Sequence, residues 1–232
     1  MSGALIIGAG PGLGLAIAQR FAREGGPVTL IARSRRTLDE GVAALAASLA
    51  PVLAITADAT DEAALVEAIA AASERFGTPD ALIYNAAVIR ADSVGQLTAD
   101  EHLKAWNVNV VGALRAAATV GPSMARRGHG SIILTGGMPV PDAGHVSLSL
   151  GKAGIRAVTE MLDQHYGRHG VHAATVTVAG AIAPGTDFDP ADIAEHYWRL
   201  HAQVPGQWER EVMYEGPNHA HAVASRPVGP QP

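Results

Sequence analysis

Short apolar segments alternate with longer amphipathic segments along most of this chain of 232 residues. The apolar segments have the length of strands, and their nearly continuous apolar character is typical of strands buried on both faces. They lie at 4–7, 28–32, 52–57, 81–84, 131–135 and 174–178, and a last edge strand is expected at 207–214. The segments between them show the helical spacing of three and four, as at Leu65, Ile69, Ala72 and Phe76. This alternation predicts an α/β fold with a doubly wound parallel sheet.

Capping residues mark two of the predicted helix starts. Thr98 and Glu101 have the spacing of a capping box. Asp189 precedes Pro190, as expected for an N-cap followed by proline at the first helical position. No repeat or linker divides the chain, so we expect one dinucleotide-binding domain over residues 1–215. The proline-rich segment 216–232 is expected to be a flexible tail.

Composition and charge exclude several classes of function. The chain has no cysteine, which excludes disulfides, thiolate metal sites and a cysteine nucleophile, and we expect no metal site. Its formal net charge is −5 and its basic residues are scattered, so we expect no nucleic-acid partner. The longest apolar-looking stretch, 41–59, is interrupted by Pro51, which argues against a membrane partner. The residues after Met1 contain no basic, signal-like region, and this favours a cytoplasmic location.

A glycine-rich turn follows the first predicted strand and opens the first predicted helix. It contains Gly8, Gly12, Leu13 and Gly14. Glycines let the backbone turn tightly and approach a pyrophosphate, whose charge is then stabilised by the N–H groups of the helix N-terminus. At the first strand-to-helix turn, this pattern predicts a dinucleotide-binding site.

Further motifs follow in an order that resembles the short-chain dehydrogenase/reductase family over about residues 3 to 215. The pair Asp58-Ala59 resembles the family's adenine-contacting pair, and Asn85-Ala86 resembles part of its Asn-Asn-Ala-Gly turn. Asn109 begins its Asn-x-x-Gly helix motif, and Lys152 occupies the lysine position of its Tyr-x-x-x-Lys motif. The resemblance implies a Rossmann-type fold and a nicotinamide cofactor. It assigns cofactor contacts to Gly8, Gly12, Leu13, Gly14, Asp58, Ala59, Asn85, Ala86, Lys152 and Ile182.

The residues after the second predicted strand favour NADP over NAD. A protein that selects NAD usually places an acidic residue there to bind the ribose 2′-hydroxyl. This chain instead places Arg33 and Ser34 at that point, where a guanidinium and a hydroxyl would suit a 2′-phosphate. The alternative is a solvated basic turn ahead of a helix. We therefore predict NADP as the cofactor, with NAD less favoured.

The resemblance also shows which catalytic groups are replaced. The family uses a tyrosine as proton donor, a serine that orients the substrate carbonyl, a lysine and an asparagine. Lys152 and Asn109 keep the last two positions, whereas Leu148 and Gly137 stand where tyrosine and serine are expected. Loss of a general acid typically costs about 10²–10⁴ in rate. Candidate substitutes are His145, Ser147, Ser149 and Thr135.

Two functions remain open from the sequence. The first is an NADP(H)-dependent oxidoreductase acting on a small carbonyl or alcohol with an altered proton donor. The second is a catalytically degenerate member that acts as a nucleotide sensor or scaffold. The segment between Ile182 and Asp189 is short, which predicts a reduced substrate lid and an open site. The family resemblance also implies a homo-oligomer, either a dimer or a tetramer.

Overall fold

All seven strands of the structure run parallel in one sheet, whose order is β3-β2-β1-β4-β5-β6-β7. The structure is a computed structural model that describes residues 3–217. The strands are β1 (Ala4–Ile7), β2 (Val28–Ala32), β3 (Val52–Thr56), β4 (Ala81–Tyr84), β5 (Gly130–Thr135), β6 (Val171–Val178) and β7 (Glu211–Tyr214). The helices are α1 (Leu13–Ala22), α2 (Arg35–Leu45), α3 (Glu62–Phe76), α4 (Ala99–Trp106), α5 (Gly112–Arg127), α6 (Val146–Tyr166) and α7 (Pro190–His201). The predicted doubly wound α/β fold is confirmed.

The sheet is buried on both faces because helices cover each of them. In β1, Ala4 and Ile6 pack with α1, α2 and α7 on one face. Leu5 and Ile7 pack with α3, α5 and α6 on the other. Alternate residues of a strand point to opposite faces, so a strand covered on both sides must be apolar throughout. This requirement explains the unbroken apolar segments of the sequence.

The strand order reverses between β1 and β4. The chain proceeds outward from β1 to β2 and β3, then returns to place β4 on the other side of β1. The loops that follow β1 and β4 therefore diverge and leave a crevice at the carboxyl edge of the sheet. In open α/β sheets, ligands bind at this switch point.

Both predicted helix caps are present. Thr98 and Glu101 form a reciprocal capping box at the start of α4. The Asp189 carboxylate accepts a hydrogen bond of 2.8 Å from the Ala191 amide, with Pro190 in the first turn of α7. Only residues 179–189 separate β6 from α7. The predicted shortening of the substrate lid is therefore present in the fold.

Two strand boundaries, those at the starts of β6 and β7, differ from the prediction by more than one residue, while the end of β3 and the start of β5 differ by one. Strand β6 begins at Val171, not at residue 174, and includes the buried His172, whose Nδ1 lies 3.0 Å from the Leu200 carbonyl and whose Nε2 lies 2.8 Å from the Glu209 carbonyl, so that its ring N–H has an acceptor on either side. A polar residue with satisfied hydrogen bonds can occupy a buried strand position. Strand β7 begins at Glu211, not at residue 207. Of the predicted tail, residues 218–232 lie outside the described residues.

Candidate functional site

The glycine turn after β1 contains two kinds of glycine. Gly8 has φ +89°, and a Cβ at this position would clash with the backbone of Ala86. A Cβ at Gly14 would clash with the Gly8 carbonyl, so α1 lies very close to the end of β1. Gly10 and Gly12, in contrast, have open space where a Cβ would be. The first two positions need glycine for the fold, whereas the last two leave room beside the backbone for a ligand.

The N-terminus of α1 can bind an anion. Gly12 is its N-cap residue and supplies no side-chain hydrogen bond, and no acidic residue lies in the first turn. The first N–H groups of a helix have no partner within the helix, and the helix dipole makes this end positive. The amide of Leu13 lies in this turn while its side chain is buried in the core. A pyrophosphate fits this arrangement by its charge and by the space beside Gly10 and Gly12.

A cleft of about 500 Å³ continues from the glycine turn along the carboxyl edge of the sheet. Among its lining residues are seven of the predicted cofactor contacts: Gly8, Arg33, Ser34, Asp58, Ala59, Asn85 and Ala86. Gly10, Pro11, Thr37, Ala87 and Val108 also line it, and the sequence interpretation had not assigned them a contact. The cleft thus follows the carboxyl ends of β1, β2, β3 and β4, which is the length of edge that an extended dinucleotide requires.

Arg33 and Ser34 form the end of the cleft beyond β2. Ser34 is the N-cap of α2, and its hydroxyl accepts a hydrogen bond of 3.3 Å from the Thr37 amide. Arg35 and Arg36 form ion pairs with acidic residues one helical turn later on α2. Within residues 3–217, no ion pair involves the Arg33 guanidinium. Arg33 is therefore the guanidinium of this turn that is available to a phosphate group.

The Asp58 carboxylate lies at the cleft wall after β3. It accepts hydrogen bonds of 2.8 Å from both the amide and the hydroxyl of Thr60. These bonds, chiefly the one from the amide, and the nearby Arg33 charge hold the pKa of Asp58 below its usual value. The carboxylate is therefore an anion at neutral pH with a fixed orientation, suited to accept a hydrogen bond from an amino group.

Thr135, the last residue of β5, joins the cleft to two helices. Its hydroxyl donates a hydrogen bond of 3.0 Å to Asn85 Oδ1, and Asn85 Nδ2 donates one of 2.9 Å to the Gly8 carbonyl. The Tyr197 hydroxyl of α7 lies 2.7 Å from the Thr135 hydroxyl. Because Thr135 uses its proton toward Asn85, the phenol donates to Thr135. Lys152 Nζ donates a bond of 2.7 Å to the Thr135 carbonyl.

Lys152 is held in an apolar environment on α6. Its side chain is buried, and this burial lowers its pKa from 10.5 to about 8. Lys152 does not line the cleft itself, but Thr135 connects it to Asn85, which does. A buried ammonium with this pKa exchanges its proton near neutral pH.

Asn109 lies in a π-helical turn, Asn107–Val111, between α4 and α5. Its side-chain oxygen accepts a hydrogen bond of 2.6 Å from the Val88 amide, and its nitrogen donates one of 3.3 Å to the Val88 carbonyl. A Cβ at Gly151 would overlap the Asn109 side chain, so α6 packs directly against it. Asn109 therefore holds the loop after β4 in place. π-Helical turns occur frequently at functional sites.

The positions where the resemblance places tyrosine and serine have no polar side chain in this chain. Leu148 is buried on α6, one turn before Lys152. Gly137 has φ +150°, a conformation that residues with a side chain rarely adopt. Its carbonyl accepts a hydrogen bond of 3.1 Å from Arg156. The loop after β5 is therefore held by a side chain of α6 that the sequence interpretation did not assign.

His145 is the one titratable group among the candidate proton donors. It is the N-cap residue of α6, and its Nδ1 lies 2.8 Å from the Asp142 carboxylate. The Gly144 amide and His145 together hold the pKa of Asp142 below its usual value. A carboxylate at this distance fixes the orientation of the imidazole.

Five of the twelve predicted cofactor contacts do not line the cleft: Gly12, Leu13, Gly14, Lys152 and Ile182. Ile182 follows β6, toward the end of the sheet opposite to β3.

No helix of the described residues is both long and apolar enough to span a bilayer. In the same part of the chain, no group of three or more histidine, aspartate or glutamate side chains is arranged to hold a metal ion.

Comparisons with known proteins agree with this architecture. Residues 2–190 match the family model described as short chain dehydrogenase. Levodione reductase of Leifsonia aquatica is 32% identical over 225 residues, which cover 95% of this chain and 82% of the relative. A 2,5-dichloro-2,5-cyclohexadiene-1,4-diol dehydrogenase, LinX, of Sphingobium indicum is 31% identical over 196 residues, 82% of this chain and 77% of the relative.

A solved structure shows the same fold. It is a metagenomic short-chain oxidoreductase crystallised in complex with NADP, and it superposes with a TM-score of 0.84. The alignment covers 91% of this chain and 96% of that structure at 22% identity, so this likeness bears on the fold alone. The family model and the two relatives described above show that the chain belongs to the short-chain dehydrogenase family.

Proposed function

We propose that this protein binds NADP(H) and is an oxidoreductase acting on a small carbonyl compound or alcohol. The observation that carries the proposal is the single cleft that connects the glycine turn, the Arg33-Ser34 corner and Asp58. When bound, the cofactor supplies or accepts a hydride. The names of two relatives, a reductase and a dehydrogenase, and the NADP complex of a structural neighbour support the same chemistry.

Each predicted contact, within the cleft or beside it, has a role in this proposal. The N-terminus of α1 binds the pyrophosphate, with Gly12 leaving space for it. Arg33 and Ser34 bind the 2′-phosphate, and Asp58 with Ala59 contacts the adenine. Asn85 and Ala86 form the wall after β4, while Lys152 binds the ribose next to the nicotinamide. Ile182 contacts the nicotinamide from the loop after β6.

The preference for NADP is tested by fluorescence titration with NADPH and, separately, with NADH. We expect tighter binding of NADPH. Arg33→Ala should weaken NADPH binding about ten- to hundredfold, because a charge-assisted hydrogen bond contributes about 1.5–3 kcal/mol. Arg36→Ala is the matched control, since Arg36 is an exposed neighbour that lies near Glu40. Equal losses for both variants, or no binding of either nucleotide, would contradict the proposal.

A second candidate function follows from the catalytic positions. Leu148 cannot donate a proton, and Gly137 has no side chain to orient a carbonyl. A protein with an intact cleft and these two residues suits a nucleotide sensor or scaffold. Saturable NADPH binding without turnover of any electrophile would favour this function over the first.

We also propose that the protein forms a homo-oligomer through α4, α5 and α6. These helices expose large apolar side chains to solvent, which is a feature of protein–protein interfaces. The exposed residues are Leu103, Trp106, Leu114, Leu150 and Met161. Sedimentation velocity of the wild type and of Leu114→Glu tests this: we expect the variant to shift toward the monomer.

A further inference from the structure

Three exposed apolar side chains lie in the loops at the carboxyl edge of the sheet that follow β4, β5 and β6. Ile89, Val140 and Ile182 follow β4, β5 and β6, and they are 75%, 77% and 37% exposed. These three strands are neighbours in the sheet and run parallel, so the loops that follow them lie at the same edge. We call these three residues the apolar rim.

The loops that carry the apolar rim are held by specific hydrogen bonds. Asn109 binds both the amide and the carbonyl of Val88, next to Ile89. Arg156 donates to the Gly137 carbonyl, three residues before Val140. The Ala183 amide donates a bond of 3.2 Å to the Phe188 carbonyl and closes the loop after Ile182. The fold therefore fixes the loops that carry the rim, and their apolar side chains are exposed where a substrate at this edge could contact them.

The hydroxyl groups around this edge already donate their protons to protein acceptors. The Ser147 hydroxyl donates to Asp92 at 2.8 Å, and the Ser149 hydroxyl donates to the Asp142 carbonyl at 3.3 Å. The Thr135 hydroxyl donates to Asn85, and the Tyr197 hydroxyl donates to Thr135. None of these four hydroxyls is left to donate a proton to a substrate oxygen.

This arrangement suits a substrate whose reduction needs no acid from the protein. Hydride addition to a simple ketone forms an alkoxide, which is about as basic as hydroxide, the conjugate base of water with pKa of about 15.7. Hydride transfer to one oxygen of a quinone leaves the other as a phenolate-type oxygen, whose conjugate acid has a pKa of about 10. The second anion is stable enough to leave an open site and take its proton from water.

We infer that the substrate class is an apolar quinone, an inference that rests on the NADP(H)-dependent oxidoreductase function proposed above. The C–H bond of the reduced nicotinamide breaks, and its hydride forms an O–H bond at one quinone oxygen. The ring becomes aromatic and the negative charge lies on the other oxygen, which then takes one proton from water. The balanced reaction is quinone plus NADPH plus H⁺ giving hydroquinone plus NADP⁺. The rim contacts the hydrocarbon ring, and Leu148 contributes an apolar surface where a proton donor is not required.

The first experiment compares two electrophiles with the purified protein under anaerobic conditions. NADPH oxidation is followed with 2,3-dimethyl-1,4-naphthoquinone and with cyclohexanone, each corrected for the reaction without protein. The two methyl groups leave no unsubstituted quinone carbon to which a protein nucleophile could add, and the chain has no cysteine thiol. We expect turnover of the quinone at least about a hundredfold above that of the ketone, with hydroquinone and NADP⁺ formed in equal amounts.

A second experiment measures binding independently of turnover. Calorimetric titration of the quinone into the cofactor-free protein should give a Kd that Val140→Asp raises at least about tenfold, because a carboxylate replaces an apolar contact. Val204→Asp is the control, because Val204 is 55% exposed and follows the end of α7, away from the rim. This control should change Kd by less than about twofold. Equal effects of the two substitutions would overturn the role of the rim.

The outcomes separate this inference from the proposed function. Absence of NADPH binding overturns the proposed function and the inference with it. NADPH binding with quinone turnover at the protein-free background overturns the inference alone. Ketone turnover that matches quinone turnover and is lost in His145→Ala also overturns it, because the imidazole would then be supplying the proton.

Discussion

The hydrogen bonds of Thr135 allow a quantitative test of how the site is held together. Thr135→Val keeps the carbonyl that binds Lys152 but removes the hydroxyl between Asn85 and Tyr197. The Tyr197 phenol is fully buried, so leaving it unpaired costs about 1–3 kcal/mol. The half-buried Asn85 oxygen adds about 1 kcal/mol. We expect Thr135→Val to lower the free energy of unfolding by about 2–4 kcal/mol.

Tyr197→Phe should cost only about 1 kcal/mol, because Thr135 still donates to Asn85 and loses one accepted bond. The double variant has no phenol left without a partner, so we expect a loss of about 1–2 kcal/mol, less than that of Thr135→Val alone. The coupling free energy is therefore about 2 kcal/mol. Urea unfolding followed by far-UV circular dichroism measures all four proteins. Additive effects within about 0.5 kcal/mol would refute the reasoning.

Thr56→Val provides a control for the change of side chain. Thr56 is an exposed residue at the end of the edge strand β3. Valine is a favourable strand residue, so this substitution should change the free energy of unfolding by less than about 0.5 kcal/mol.

Three further predictions concern the glycine turn, the buried lysine and the loop after β5. Gly8→Ala should lower the free energy of unfolding by about 2–4 kcal/mol, because Gly8 has a positive φ and its Cβ would clash with Ala86. Gly12→Ala should change that free energy by less than about 1 kcal/mol, because a Cβ there has open space, but it should weaken NADPH binding. Urea unfolding measures both stabilities. The folded-state pKa of Lys152 is lowered from 10.5 to about 8, so the protonated form destabilises the fold below pH 8 and this cost disappears as the pH rises toward 10.5. The difference of about 2.5 between the two pKa values corresponds to about 3 kcal/mol. Between pH 8 and pH 10.5, the free energy of unfolding of the wild type should therefore rise by about this amount relative to that of Lys152→Met. Gly137→Ser should lower the free energy of unfolding by about 1–3 kcal/mol because of its φ of +150°, and a melting temperature equal to that of the wild type would contradict this.

Much of the cofactor cleft could be predicted from the sequence. Gly8, Asp58 and Asn85 each follow a strand, and the carboxyl ends of parallel strands lie at one edge of the sheet. The positions of Ile182 and Lys152 could not be placed in the same way. Ile182 follows β6, two strands beyond β4 in the sheet, and Lys152 lies within α6, where its bond to the Thr135 carbonyl depends on how that helix packs.

The sequence by itself determined the order of strands and helices, because the periodicity of apolar residues and the turn residues are properties of neighbouring positions. It also determined where an anion could bind, since a glycine turn that opens a helix needs no distant partner. Only the tertiary structure decided which hydroxyls can donate a proton. Thr135 and Asn85 are 50 residues apart in the chain, and Thr135 and Tyr197 are 62 apart. Such pairs form because strand register and helix packing bring them together, and no local pattern in the sequence records those distances.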